Sequence, residues 1–293
     1  MENELGHLTD ERDVFDYAPI GPAAFFGVPD TATWMIDGVL REGEAAAICA
    51  PKKCLATTVA IELAVSVASE TQFLGYFPTA GHRRAAYLSG PARQNEVRTK
   101  ARRVCAARDL DPAACDIDWQ FHMPRGGHPT DLDRLAAGLE RRRVGLVIID
   151  PLFLLLRGCP DVSASNVYEI GAVFESVAEC CLRAGATPVL VHHAVKAAGR
   201  TVSGRPLSLE DLAFAGIGEV ARQWILLNRA AEFDPVKGRH ELNMAVGGST
   251  GNAATWRLVV EEGAAGVARG WQVQVEPHGR KEQATSRLIG SSS

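Results

Sequence analysis

Three groups of residues in this sequence have types and spacing that could bind a polyphosphate. The first is the turn APKKCLATT at residues 50–58, between a short apolar run and a longer one. The second is Asp150, which ends the apolar run VGLVIID, and the third is the pair His192 and His193, which ends TPVLVHH. Backbone N–H groups at a helix N-terminus bind phosphate oxygens, while threonine and aspartate oxygens are ligands of Mg²⁺. These groups therefore predict a nucleotide site if the fold brings them together.

The turn departs from the phosphate-loop pattern G-x-x-x-x-G-K-[ST]. Ala50 and Leu55 stand at its two glycines, Ala56 stands at its lysine, and Thr57 is its one match. Thr57 could bind Mg²⁺ or only cap the following helix, and the two lysines of the turn could replace the missing charge or be solvated. The predicted nucleotide-binding residues are Ala50, Pro51, Lys52, Lys53, Cys54, Leu55, Ala56, Thr57 and Thr58.

Apolar periodicity predicts strands and helices that alternate along most of the chain. Strands are predicted at residues 45–49, 85–88, 118–122, 144–150 and 187–192, and helices at about 57–69, 95–107, 131–142 and 166–184. Further short strands at 224–229, 242–246, 256–260 and 271–275 predict antiparallel β-hairpins. The fold class is therefore predicted to be α/β, with a mostly parallel twisted sheet flanked by helices on both faces. Ligands bind such sheets at the carboxyl ends of the strands, where all three groups are expected.

Composition excludes several classes of protein. The chain has 293 residues, 46% of them hydrophobic, and its net charge of −4 makes any contact with nucleic acid a local one. Seven cysteines without a C-x-x-C pair argue against a disulfide framework or a zinc site and favour a reducing cytoplasm. We expect neither a signal peptide nor a membrane span. The predicted organisation is an N-terminal arm at 1–27, one domain at 28–278 and a disordered tail at 279–293.

A series of motifs spread over residues 34–275 connects this chain to a known family. In order they are APKKCLATT, FLGYF, AAYLSG, VIIDPLFLLL, DVSASNVYEIG, VLVHHAVK, DLAFAGIGEVARQWILLNR and VGGSTGN. In this order and spacing the chain resembles the RecA-like P-loop ATPases, specifically the branch of RepA-type plasmid helicases and related AAA family ATPases. The resemblance implies a RecA-like core, ATP and Mg²⁺ as cofactors, a homo-oligomer such as a hexameric ring, and single-stranded DNA as a partner.

The resemblance also assigns roles to residues. It implies that Thr57 binds Mg²⁺ directly and that Asp150 holds it through a water molecule, although Asp150 could instead cap the turn before Pro151. It implies that His192 and His193 sense the γ-phosphate, although one could be only a satisfied polar residue at a strand end. The remaining roles fall on arginines and one lysine: Arg222 or Arg229 as an arginine finger acting across a subunit boundary, and Lys196, Arg200 and Arg205 as DNA contacts. Those two candidate finger arginines could instead pair with acidic neighbours, and the basic helix at 98–108 could be a solvated face.

Two departures from the family pattern bear on turnover. Ala56 replaces the phosphate-binding lysine, and Pro91 stands where relatives carry an acidic residue that polarises the attacking water. Phosphoryl transfer depends on positioning and on neutralising phosphate charge, so both losses impair hydrolysis. We therefore expect a DNA-associated ATPase with impaired hydrolysis. The alternatives are a pseudo-ATPase scaffold that binds nucleotide or partners without turnover, and a RecA-fold regulator of the circadian or repair type.

Overall fold

The computed structural model describes residues 18–27, 33–157, 159, 162, 166–193, 204–212, 215–264 and 269–278. The helices in these residues are α1 (Pro22–Phe26), α2 (Ala56–Ser69), α3 (Gln94–Ala107), α4 (Pro129–Arg142), α5 (Val167–Arg183) and α6 (Ala215–Val220). The strands are β1 (Trp34–Ile36), β2 (Leu40–Arg41), β3 (Ala46–Cys49), β4 (Arg84–Leu88), β5 (Ile117–Gln120), β6 (Val144–Ile149), β7 (Thr187–His192), β8 (Gln223–Arg229), β9 (Arg239–Gly248), β10 (Ala253–Glu261) and β11 (Gln272–Pro277).

The chain forms two compact units, Met1–Ala32 and Thr33–Ser293. The first contains α1, which begins with Pro22, a residue whose fixed φ suits the first position of a helix. No regular element was predicted for this arm, because a helix this short has no apolar period to detect. The predicted tail at 279–293 lies outside the described residues.

Nine strands of the second unit form one sheet in the order β11-β10-β9-β8-β3-β7-β6-β4-β5, counted over the described residues. The six strands from β8 to β5 run parallel, because each pair along this part of the sheet has parallel register. The strands β9, β10 and β11 continue the sheet in antiparallel fashion. The predicted α/β class, the mostly parallel sheet and the C-terminal hairpins are confirmed.

Helices cover both faces of the sheet. One apolar cluster joins the sheet to α2 and α3, and a second joins its other face to α4, α5 and α6. Helix α2 is buried along nearly its whole length, as its apolar residues predicted. The fully buried Glu62 within it accepts hydrogen bonds from the guanidinium of Arg108 and the indole of Trp271. None of the helices in the described parts of the chain is long and apolar enough to cross a membrane.

Two local features add to or correct the predictions. Trp34 and Ile36, for which no element was predicted, pair with Arg41 and Leu40 in a separate two-stranded ribbon. Helix α2 begins at Ala56 with Leu55 as its N-cap residue, so Thr57 lies within the first turn and is not the cap. The alternative role of Thr57 as a helix cap is therefore wrong.

Candidate functional site

The turn at residues 50–57 connects the carboxyl end of β3 to the start of α2. The backbone N–H of Ala50 donates to the carbonyl of His192, 3.1 Å away, which fixes the turn against the end of β7. Lys53 and Leu55 have left-handed backbone conformations, with φ of 64° and 63°. A left-handed conformation costs a residue with a Cβ about 1–2 kcal/mol, so other contacts must hold this turn in place.

Arg229, the last residue of β8, supplies one of those contacts. Its Nη2 donates to the carbonyl of Lys53 over 2.9 Å, and the side chain is buried. Its Nη1 lies 3.5 Å from Nδ1 of His240, whose Nε2 lies 3.3 Å from a carboxylate oxygen of Glu262. The turn therefore takes part of its shape from a buried cation on the neighbouring strand.

Asp150 follows β6 and is fully buried at the same edge of the sheet. Its carboxylate accepts a hydrogen bond from the Tyr87 hydroxyl at 2.6 Å and from Arg93 Nη1 at 3.1 Å, and His193 Nε2 lies 3.4 Å away. Burial alone raises the pKa of Asp150, but the hydrogen bond with His193, the charge of Arg93 and the hydrogen bond with Tyr87 outweigh it, so the pKa is lowered. Asp150 is therefore held as a carboxylate.

The Arg93 guanidinium connects Asp150 to the phosphate turn. Its Nη2 donates to Thr57 Oγ1 at 2.9 Å, while Nη1 donates to Asp150. Its Nε lies 3.4 Å from Glu96, whose other oxygen accepts from Lys100. Burial lowers the pKa of Arg93, but the charges of Asp150 and Glu96 raise it by more than burial lowers it. The pKa of Arg93 is therefore above its ordinary value. Arg93 is therefore a permanent cation between the two predicted metal ligands.

The contacts of Thr57 and Asp150 show whether these residues could hold the Mg²⁺ that the resemblance implies. Mg²⁺ binds its oxygen ligands at about 2.0–2.1 Å in near-ideal octahedral geometry. Thr57 Oγ1 and Asp150 Oδ1 are brought together as predicted, but both accept hydrogen bonds from the same guanidinium. With Arg93 in this position, the residues present do not fit a metal ion between these two oxygens.

The other predicted residues are distributed unevenly. His193 lies at the site, whereas the His192 side chain is buried within β7. Lys52 and Lys53 have exposed side chains at the turn. Arg205 makes two hydrogen bonds to the Asp211 carboxylate, at 2.9 and 2.7 Å. The other two predicted DNA contacts, Lys196 and Arg200, lie outside the described residues.

Arg222 is not brought to this site. It precedes β8, and its backbone N–H donates to the carbonyl of Ala45 at the amino end of β3. The turn at 50–57 follows the opposite, carboxyl end of β3, so Arg222 lies at the other edge of the sheet. A contact of Arg222 with its own chain's phosphate turn is excluded by strand direction, and its role across a subunit boundary remains a prediction.

Two contributors to the site, Arg93 and Tyr87, were not predicted from the sequence. Arg229 was predicted as a finger for another subunit or as the partner of an acidic neighbour, and not as a contact of the turn. One signal was available, because Arg93 comes five residues after the carboxyl end of β4 and Arg229 ends β8. Residues at the ends of parallel strands meet at one sheet edge, so both could have been considered for this site.

Comparisons with known proteins give a family and a fold. A family model described as an AAA domain matches residues 17–199. Among solved structures, the chain is similar to a KaiC-like protein from the hyperthermophilic archaeon Pyrococcus horikoshii OT3, with a TM-score of 0.53 over 82% of this chain and 93% of that chain. The sequence identity is 15%, so the likeness shows the fold alone. No curated protein matches this sequence significantly. The shared fold is the RecA-like core that the sequence predicted.

Proposed function

We propose that this chain, which belongs to the AAA domain family, is a RecA-like P-loop protein that binds ATP at the carboxyl edge of its sheet. One observation carries the proposal: the turn at 50–57, Asp150 and His193, which are far apart in sequence, lie at one sheet edge beside the N-terminus of α2. That edge offers backbone N–H groups and a cation to an anionic ligand. The RepA-helicase-related branch is the family branch that we infer from the motifs.

We also propose that hydrolysis is impaired. Ala56 cannot donate the charge-assisted hydrogen bond of the family's lysine, a loss of about 1.5–3 kcal/mol or roughly tenfold or more in affinity. Pro91 begins the short helix after β4 and has no carboxylate with which to orient water. We expect weak ATP binding and negligible turnover, measured by phosphate release. Turnover at rates usual for ATPases, lost in Asp150→Ala, would contradict this expectation.

The test of nucleotide binding is a titration of a fluorescent ATP analogue, with competition by ATP and ADP. The double variant Lys52→Glu, Lys53→Glu reverses charge at the turn and should weaken binding at least tenfold. Its matched control is Arg141→Glu, Arg143→Glu, which makes the same charge change on exposed residues at the opposite edge of the sheet. Absence of any binding by the wild-type chain at low salt would refute the proposed function.

We propose a ring-forming, DNA-associated role in the cytoplasm for the same domain, on the strength of the RepA resemblance. Lys196, Arg200 and Arg205 are the proposed contacts with single-stranded DNA. Such binding depends on phosphate neutralisation and must weaken as salt rises. Fluorescence anisotropy of a labelled strand across a salt series, for the wild type and a triple alanine variant, tests the contacts. Sedimentation velocity with and without nucleotide tests the ring.

A second candidate function is a pseudo-ATPase scaffold. The observation that favours it is the combination of Ala56, Pro91 and the guanidinium between Thr57 and Asp150. In this function nucleotide or a protein partner binds without turnover. The two functions are separated by the anisotropy experiment, because no DNA binding at low salt together with retained nucleotide binding favours the scaffold.

A further inference from the structure

The Arg93 side chain lies beside the phosphate turn and has more hydrogen-bond donors than its contacts within the chain use. A guanidinium carries five N–H donors in a planar fork. Among the described residues, Thr57, Asp150 and Glu96 accept from one nitrogen each. One N–H on each terminal nitrogen therefore remains for a ligand. The side chain is 23% exposed, so it is not sealed off from the surface.

We propose that Arg93 is the resident cation of the nucleotide site, standing in for Mg²⁺ between Thr57 and Asp150 and binding the phosphates of a metal-free nucleotide. This inference rests on the proposed function, since it names how the same site holds a polyphosphate. Arginine suits the role because its planar fork matches two phosphate oxygens at once and its charge is permanent.

The Arg93 guanidinium fills the space between the two predicted metal ligands. Thr57 Oγ1 lies 2.9 Å from Arg93 Nη2, and Asp150 Oδ1 lies 3.1 Å from Nη1. A magnesium ion that used both oxygens would occupy the space that the guanidinium fills. Arg93 and a shared metal ion are therefore mutually exclusive at this place.

The second step concerns charge. Asp150 is fully buried and accepts a hydrogen bond from the Arg93 guanidinium at 3.1 Å, and a buried carboxylate needs such a cation whether or not a nucleotide is bound. Arg93 meets that need within the chain, and Lys100 in turn pairs with the second carboxylate that holds Arg93, Glu96. The site thus keeps a cation next to the phosphate turn although Ala56 has removed the one that the family places there.

The third step is that Arg93 is held in place by its own backbone. It ends the short helix Pro91–Arg93, which follows β4 and leads directly into α3. Pro91 has a fixed φ, which limits the freedom of this segment. The segment that lacks the acidic residue expected for hydrolysis therefore carries the cation.

The experiment measures binding of the fluorescent ATP analogue in EDTA and in millimolar Mg²⁺. Wild-type affinity should change less than about twofold between the two conditions, because the cation is built in. Arg93→Gln should lose roughly tenfold or more in EDTA, the loss of one charged hydrogen bond, and Arg93→Lys should lose less. The matched control is Arg98→Gln, which removes the same charge from an exposed position of α3, where Arg98 donates a hydrogen bond to Asn95.

Two results would overturn the inference: wild-type binding that requires Mg²⁺, or Arg93→Gln binding in EDTA as tightly as the wild type. Where Arg93→Gln does not fold because Asp150 is left uncompensated, the double variant with Asp150→Asn is compared with Asp150→Asn alone. The same tenfold difference in EDTA is expected between these two proteins, and equal affinities would overturn the inference.

A nucleotide-free readout separates failure of this inference from failure of the proposed function. Inorganic triphosphate in EDTA should raise the midpoint of thermal unfolding of the wild type and not that of Arg93→Gln. Equal shifts of the midpoint in the two proteins, or no shift in the wild type, would contradict the role proposed for Arg93. If triphosphate stabilises the wild type but the ATP analogue does not bind, the phosphate site stands and the nucleotide function fails.

Discussion

Replacing Arg229 with methionine should loosen the phosphate turn while leaving the sheet intact. Methionine keeps an unbranched apolar stem at this buried position but removes the guanidinium. The Lys53 carbonyl then loses its charged donor at 2.9 Å, and His240 loses a neighbour at 3.5 Å. The contact of the guanidinium with the Phe233 ring, 5.4 Å from its centroid, is lost as well.

The magnitude follows from these contacts. A hydrogen bond to a charged group is worth about 1.5–3 kcal/mol. The contact between Arg229 and His240 adds little, because 3.5 Å is the outer limit for a hydrogen bond. We expect the free energy of unfolding to fall by about 2–3 kcal/mol. Lys53 and Leu55 are left-handed at a cost of about 1–2 kcal/mol each, so a released turn relaxes out of the binding-competent shape. The apparent affinity for nucleotide falls by the fraction that remains competent, here tenfold or more.

The assays are urea unfolding and titration of the fluorescent ATP analogue. The matched control is Arg239→Met on the next strand, because the Arg239 side chain is 38% exposed and pairs with Glu241 and Glu261 near the surface. Exposed pairs contribute about 0–1 kcal/mol, so the control should change neither quantity much. If Arg229→Met lost stability but bound nucleotide like the wild type, the argument that Arg229 shapes the turn would be wrong.

Two further predictions concern buried carboxylates. Glu62→Gln leaves the Arg108 guanidinium facing a neutral partner inside the protein, so the free energy of unfolding in urea should fall by about 3 kcal/mol. The control Asp118→Asn, which breaks an exposed pair with Arg142, should lower it by less than about 1 kcal/mol, and equal losses would contradict the prediction. The hydrogen bond with His240 lowers the pKa of Glu262 despite burial, so its stabilisation is present above the unfolded pKa of about 4.3 and is lost as pH falls through the folded value. Glu262→Gln should flatten the fall in unfolding free energy below that pH, and parallel curves for the two proteins would refute the assignment.

Much of the fold could be predicted because it depends on local patterns of apolar residues. The runs that became β3, β6 and β7 are apolar on both sides, which is typical of parallel strands covered by helices. The all-round apolar character of α2 indicated burial on every side. Parallel strands share one carboxyl edge, so the meeting of the phosphate turn with Asp150 followed from their order.

The side chains that complete the site could not be predicted in this way. Arg93 bonds to Asp150 across 57 residues of sequence and Arg229 bonds to Lys53 across 176, and no periodicity reports such pairs. Both contacts depend on which strands are neighbours in the sheet. Local sequence patterns do not predict that β8 lies beside β3.

Strand direction explains the remaining difference. The element types, the parallel core and the edge at which the turn, Asp150 and His193 meet were predictable from the residues, because burial patterns and chain direction are local properties. The folded chain was needed to show that Arg222 lies at the opposite edge and that Arg93 lies between Thr57 and Asp150. A long, flexible cation such as Arg93 is placed by the buried Asp150 carboxylate that it neutralises, and the two meet only when the sheet has formed.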